Sequence, residues 1–136
     1  MMMRWLAVLL VCSGSVFAEA PKNILIVAGK PSHGQGEHEF PAGADILARA
    51  LNQSGLGLKA DVHSHAWPED EQLQALAALV VYCDGNKDHL LLGHEAALLK
   101  LSNRGVGIVF IHYALDGTAG LLDETILKVV GGQYDD

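Results

Sequence analysis

Residues 24–40 read ILIVAGKPSHGQGEHEF: an apolar run that breaks at Gly29 into a glycine-rich loop carrying His33, Glu37, His38 and Glu39. Strands buried on both faces of a parallel sheet read as continuous apolar runs, and open α/β sheets bind their ligands just beyond the carboxyl ends of such strands. His33, Glu37 and His38 therefore mark where a site belongs.

Outward from this stretch, strand and helix patterns alternate. Asn23 to Gly29 is a first strand. Pro41 suits the first turn of a helix whose apolar Ile46, Leu47, Ala50 and Leu51 recur at helical spacing until Gly55 stops it. Leu58 to His65, with Leu58, Ala60 and Val62 alternating, predicts a second strand, and Trp67-Pro68-Glu69-Asp70 opens a short helix with acidic residues in its first turn. Leu79 to Cys83 is a third strand, ended by the turn Asp84-Gly85-Asn86. A helix over about His94 to Asn103 leads through Arg104-Gly105 to a fourth strand, Val106 to Ile111. Leu122, Ile126, Val129 and Val130 mark a last helix, stopped by Gly131-Gly132. Four strands alternating with helices predict an α/β fold with a doubly wound parallel sheet, right-handed crossovers and helices on both faces.

The chain's 136 residues suffice for one small domain with a real core and leave no room for two. Nine Lys and Arg are scattered among sixteen Asp and Glu, and the net charge of -7 argues against nucleic acid as a partner. Residues 1–18 read as a secretory signal peptide: Arg4 supplies a positive start, Trp5 to Val11 an apolar stretch too short to span a bilayer, and Ala18 or Ala20 a cleavage point. The alternative is an uncleaved N-terminal anchor. Cleavage places the mature domain, residues 21–136, in the periplasm or outside the cell without stable membrane insertion. It also removes Cys12, leaving Cys83 with no partner for an intramolecular disulfide.

Polar residues follow each buried strand: His33, Glu37 and His38 after the first, Asp84 after the third, His112 and Tyr113 after the fourth. These termini share one edge of a parallel sheet, so residues distant in sequence converge. Imidazoles and carboxylates around an open position suit a divalent metal such as zinc, and His33, His38, His112 and Asp84 can supply such a set. The same groups, with Glu37, can instead act as general acid and base on a polyol without metal. Gly34-Gln35-Gly36 is only half a dinucleotide fingerprint, so no nucleotide cofactor is expected. Trp67 can stack on a sugar ring or pack its own loop. His63 and His65 fall on one side of the second strand at its rim, His89 and His94 read as solvated, and Cys83 reads as a small buried hydrophobe.

The stretches GKPSHGQGEHEFPAG (29–43), VVYCDG (80–85), GVGIVFIHYAL (105–115) and VVGGQYDD (129–136) together resemble the ThuA-like (trehalose utilisation) family of the class I glutamine amidotransferase-like superfamily. The resemblance runs from Asn23 to the last residue. It implies a flavodoxin-like three-layer sandwich and an association with bacterial carbohydrate utilisation, with a small-molecule sugar as ligand. Amidotransferases of this superfamily carry a cysteine nucleophile on a sharp turn after a central strand, where this chain has Ile111-His112-Tyr113-Ala114. Without a thiol or hydroxyl beside a base, acyl-enzyme chemistry lacks its attacking atom, so glutamine hydrolysis is not expected. Members of the family continue through further strands after the double glycine. The chain is therefore expected to be truncated at its C-terminus and prone to self-association through uncovered apolar surface. Two functions follow: an enzyme acting on a carbohydrate or its oxidised derivative, or a non-catalytic carbohydrate-binding or accessory domain.

Overall fold

Residues 19–117 and 120–134 are described by a computed structural model. The signal peptide expected over residues 1–18 and the final Asp135 and Asp136 lie outside them.

Four strands form one parallel sheet: β1 (Lys22–Ala28), β2 (Leu58–Ser64), β3 (Ala78–Tyr82) and β4 (Gly107–Ile111). Their spatial order is β2-β1-β3-β4. The chain thus winds outward from β1 to β2, returns past β1 to β3, and continues the other way to β4. Three helices accompany them: α1 (Phe40–Gln53) between β1 and β2, α2 (Glu95–Asn103) between β3 and β4, and α3 (Leu121–Val130) after β4.

Strand alternation sends successive side chains to opposite faces, and the core divides accordingly. Leu25 and Val27 of β1 and Leu79 and Val81 of β3 join Leu98 and Leu101 of α2 and Leu122 and Ile126 of α3 in one buried cluster. Ile26 and Ala28, with Val80, join Phe40, Ala44 and Ala48 of α1 in a second. Each fully buried aliphatic side chain contributes roughly 1.5–3 kcal/mol over its exposed state, so β1, buried on both faces, anchors both layers.

The buried face of α1 differs from the one its sequence suggested. Phe40, Ala44 and Ala48 are buried and Leu47 and Leu51 pack beside them, whereas Ile46 is 65% exposed and Ala50 faces solvent. The reason is close approach. A Cβ at Gly43 would stand 2.8 Å from the Tyr82 ring, so α1 sits on the sheet through its smallest residues. The short helix expected after Trp67-Pro68 is also absent. The segment instead makes successive three-residue turns, Gln72 N–H to Glu69 O, Leu73 to Asp70 and Gln74 to Glu71, with Leu73 inserted into the first cluster. At the other end of the fold, α3 ends as read: Gly131, at φ 78°, donates its N–H to Leu127 O.

On β4, Ile108 and Phe110 pack against the α2/α3 cluster, while Val109, paired with Val80, is 46% exposed. Among the described residues, no helix is long and apolar enough to cross a membrane.

Candidate metal centre at the carboxyl edge of the sheet

All four strands end at one edge, and the chain is unusually bent at each exit. The non-glycine residues with left-handed backbone among those described are His33 (φ 62°), His65 (φ 75°), Asn86 (φ 61°) and His112 (φ 64°), one after each strand. Such conformations cost on the order of 1–3 kcal/mol each and persist where the surroundings over-determine them. Three of the four are histidines.

The loop after β1 folds back on itself. Ser32 N–H bonds to His38 O in an isolated antiparallel bridge, Glu37 N–H bonds to Gly34 O, the Glu37 carboxylate accepts Gly34 N–H at 2.9 Å, and Glu39 accepts Gly36 N–H at 3.1 Å. Both glutamates thus close the loop, and the converging cluster does not include Glu37. The bridge holds Ser32 Oγ 3.0 Å from Nδ1 of His33 and 3.0 Å from Nδ1 of His38. His38 Nδ1 also lies 3.2 Å from Asp84 Oδ1. A carboxylate only accepts, so His38 carries its proton on Nδ1 in this arrangement and shares it between Asp84 and Ser32 Oγ. Ser32 then donates its hydroxyl to His33.

His33, His38 and Asp84 each offer one ligand atom, all within 4.8 Å of one another. A tetrahedral zinc with bonds of about 2.0–2.2 Å sets its donors roughly 3.3 Å apart. His33 is exposed, and His38 and Asp84 are part-buried. The donor set, two imidazoles and one carboxylate, suits zinc, and three protein ligands leave a position open.

His112 stands against this group without belonging to it. Its ring lies edge-on to that of His38 at 4.6 Å between centroids, and both rest on buried Phe40 at 5.6 and 5.5 Å. His112 Nδ1 accepts the Tyr113 N–H at 2.7 Å, which leaves only Nε2 for a proton or a ligand. Tyr113 is 45% exposed and meets His112 and Tyr134 edge-on, extending the row of rings. Trp67 goes elsewhere: it stacks on His94, with centroids 5.4 Å apart and planes at 15°, and packs on the α2/α3 cluster.

Gly85 brings the β3 and β4 exits together. A Cβ there would lie 2.5 Å from both Tyr113 O and Asp116 Cβ, so only glycine admits this approach.

His65 is exposed just past the end of β2, with its N–H continuing the ladder to Ala28 O and its backbone left-handed, and His63 pairs with Gln72 at 3.3 Å. One histidine departs from the sequence reading. His89 is not solvated. It is 3% exposed, donates Nε2–H to Ala114 O at 2.9 Å and accepts Leu91 N–H at Nδ1. Burial, opposed by the bond to Ala114, holds its pKa below the ordinary histidine value. A structural imidazole clamping two loops leaves no periodicity signal in sequence.

Cys83 is 1% exposed beside the site, and burial pushes its thiol up to about 11. It is therefore a core residue, not a nucleophile.

A cavity of about 460 Å³ opens next to the imidazoles, and Ser32, His65 and Asp84 line it. Its size falls within the range of small-molecule sites. Lys30, Ser32, His65, Lys87, Asp88 and His89 are among the members of this region that the sequence did not single out as site residues; a lysine or serine in a loop carries no pattern of its own.

Comparison with protein-family models, with curated proteins and with solved structures gives no match.

Proposed function

We propose that this chain is a small metal-binding domain of the carbohydrate-utilisation type, in which His33, His38 and Asp84 hold a divalent cation such as zinc and a polyhydroxylated ligand occupies the adjoining cavity. The observation that carries this reading is the meeting of the β1 loop and the β3 end at the line where strand order reverses. Open parallel sheets place ligands at that reversal. The order β2-β1-β3-β4, with α1 in one core cluster and α2 and α3 in the other, supports a doubly wound, flavodoxin-like three-layer sandwich. The ThuA-like assignment, bacterial origin and export belong to the same proposal and rest on the motifs of the sequence.

A bound divalent ion would polarise a carbonyl or hydroxyl of the ligand as a Lewis acid. His112 lies beside this position with Nε2 available to accept or return a proton, and Tyr113 offers an exposed ring to a sugar face.

One observation favours a second, metal-free reading. His38 Nδ1–H on Asp84 orients the imidazole and leaves Nε2 as a base, the arrangement of a His–Asp pair. Zinc titration of the metal-free protein separates the two: stoichiometric binding abolished by His38→Ala supports the metal centre, and no binding leaves the pair as acid and base.

A further inference from the structure

A second, smaller cavity of about 290 Å³ adjoins His112. Lysines and aspartates line the first, whereas His112, Tyr113, Leu115, Gln133 and Tyr134 line this one, with no carboxylate or ammonium among the described residues of its wall. Backbone holds the wall in place. His112, Tyr113 and Leu115 share the 3₁₀ turn His112–Leu115 that follows β4, and Tyr134, just past the end of α3, donates its N–H to Leu115 O at 3.0 Å. Tyr113 stands edge-on to Tyr134, with centroids 5.4 Å apart and planes at 86°, and edge-on to His112 at 4.8 Å and 73°. Rings set at right angles make a corner and not a flat patch. Both tyrosines stay open within it, Tyr113 45% and Tyr134 42% exposed.

We propose that this corner is an aryl subsite: the ligand at this edge of the sheet is a polyol that carries one aromatic ring, with the ring against Tyr113, Tyr134 and Leu115 and the polyol toward the imidazoles. The inference rests on the reading of this edge as a polyol site and names what the polyol carries. A flat ring entering the corner lies offset-stacked on one tyrosine and edge-on to the other, the two arrangements that aromatic quadrupoles favour. A sugar ring in the same place would bury hydroxyls against carbon, and buried hydroxyls without partners cost free energy. Size points the same way. A cavity of about 290 Å³ exceeds the roughly 150 Å³ that takes one benzene and stands at the lower limit, about 300 Å³, of sites for whole ligands, so it holds one substituted ring. His112 joins the two regions, because it lines the corner while its ring meets that of His38 at 4.6 Å. With Nδ1 accepting the Tyr113 N–H, its neutral ring carries the proton on Nε2 and can donate it to an oxygen linking polyol and aryl group.

The test uses the full-length chain, with phenyl β-D-glucoside, methyl β-D-glucoside and phenol as probes, by calorimetry first without added metal and then with zinc. The phenyl glucoside is expected to bind about tenfold or more tighter than the methyl glucoside, the combined gain of burying one ring and pairing it with another. Tyr134→Ala is expected to bring the two glucosides within about twofold of each other, and Tyr134→Phe, which keeps the ring, to retain the preference. Tyr134 is exposed and lies past α3, so neither variant touches the core. Absence of phenyl glucoside binding, equal affinity for the two glucosides, or an aryl preference that survives in Tyr134→Ala would overturn the proposal. Phenol bound through Tyr134 as tightly as the phenyl glucoside would sink the polyol reading and leave the aryl subsite standing, whereas methyl glucoside bound as tightly as phenyl glucoside would sink the aryl subsite alone.

Discussion

Nδ1 of His38 lies 3.2 Å from Oδ1 of Asp84, joining the loop after β1 to the end of β3 across the line where the strand order reverses. This contact ties fold to site, because it exists only if the two strands are parallel neighbours and end together.

Replacing Asp84 by Asn keeps the shape and an acceptor oxygen for His38 but removes the charge that a cation needs. Zinc affinity is expected to fall at least tenfold, about 1.4 kcal/mol, while the melting temperature changes little because the pair is part-exposed. Competition titration against a chromophoric chelator reads this directly. Unchanged affinity would remove Asp84 from the ligand set.

Gly85 predicts a backbone effect. In Gly85→Ala the new methyl meets Tyr113 O and Asp116 Cβ at 2.5 Å, so the β3 and β4 exits must separate. A loss of roughly 1–3 kcal/mol in denaturant unfolding is expected, as for other overpacked sites, together with weaker metal binding. A fully stable variant would show that these loops do not constrain one another.

His89 makes stability depend on pH. Its folded pKa lies below its unfolded value, so below about pH 6.5 the unfolded chain binds a proton that the folded chain refuses. The stabilisation is complete above the unfolded pKa and declines as pH falls toward the folded one. The melting temperature is thus expected to drop between about pH 7.5 and 5.5, and His89→Gln to flatten that slope at the cost of lower stability at neutral pH. Equal slopes for the two proteins would assign the acid sensitivity to other groups.

Much of this arrangement was legible in the chain. The apolar runs at Ile24–Ala28 and Leu79–Cys83 gave their strands because burial on both faces leaves no choice of residue type, the run at Val106–Ile111 gave an edge strand whose Val109 is exposed where the sequence suggested burial, and Gly55, Gly105 and Gly131 marked helix ends because each adopts positive φ. The face of α1 was misjudged because hydrophobicity favoured Ile46, whereas the sheet demands the small Ala44 and Ala48 next to Gly43. His33, His38 and Asp84 were found through a rule about strand ends. His65, His89 and the lysines were not, since their positions depend on loop conformations that only tertiary packing decides.

Cys83 tests that packing. With the thiol up to about 11 and 1% exposed, it is expected to resist a thiol reagent in the folded protein at about pH 8 and to react fully in denaturant, measured in a Cys12→Ser background. Rapid labelling of the native state would mean that the β3 end opens to solvent.

The most direct test of the account is anomalous diffraction at the zinc edge from crystals of the protein grown with stoichiometric zinc. A single strong peak is expected about 2.0–2.2 Å from one nitrogen each of His33 and His38 and one oxygen of Asp84. A peak at other residues, or none at this edge of the sheet, would contradict it.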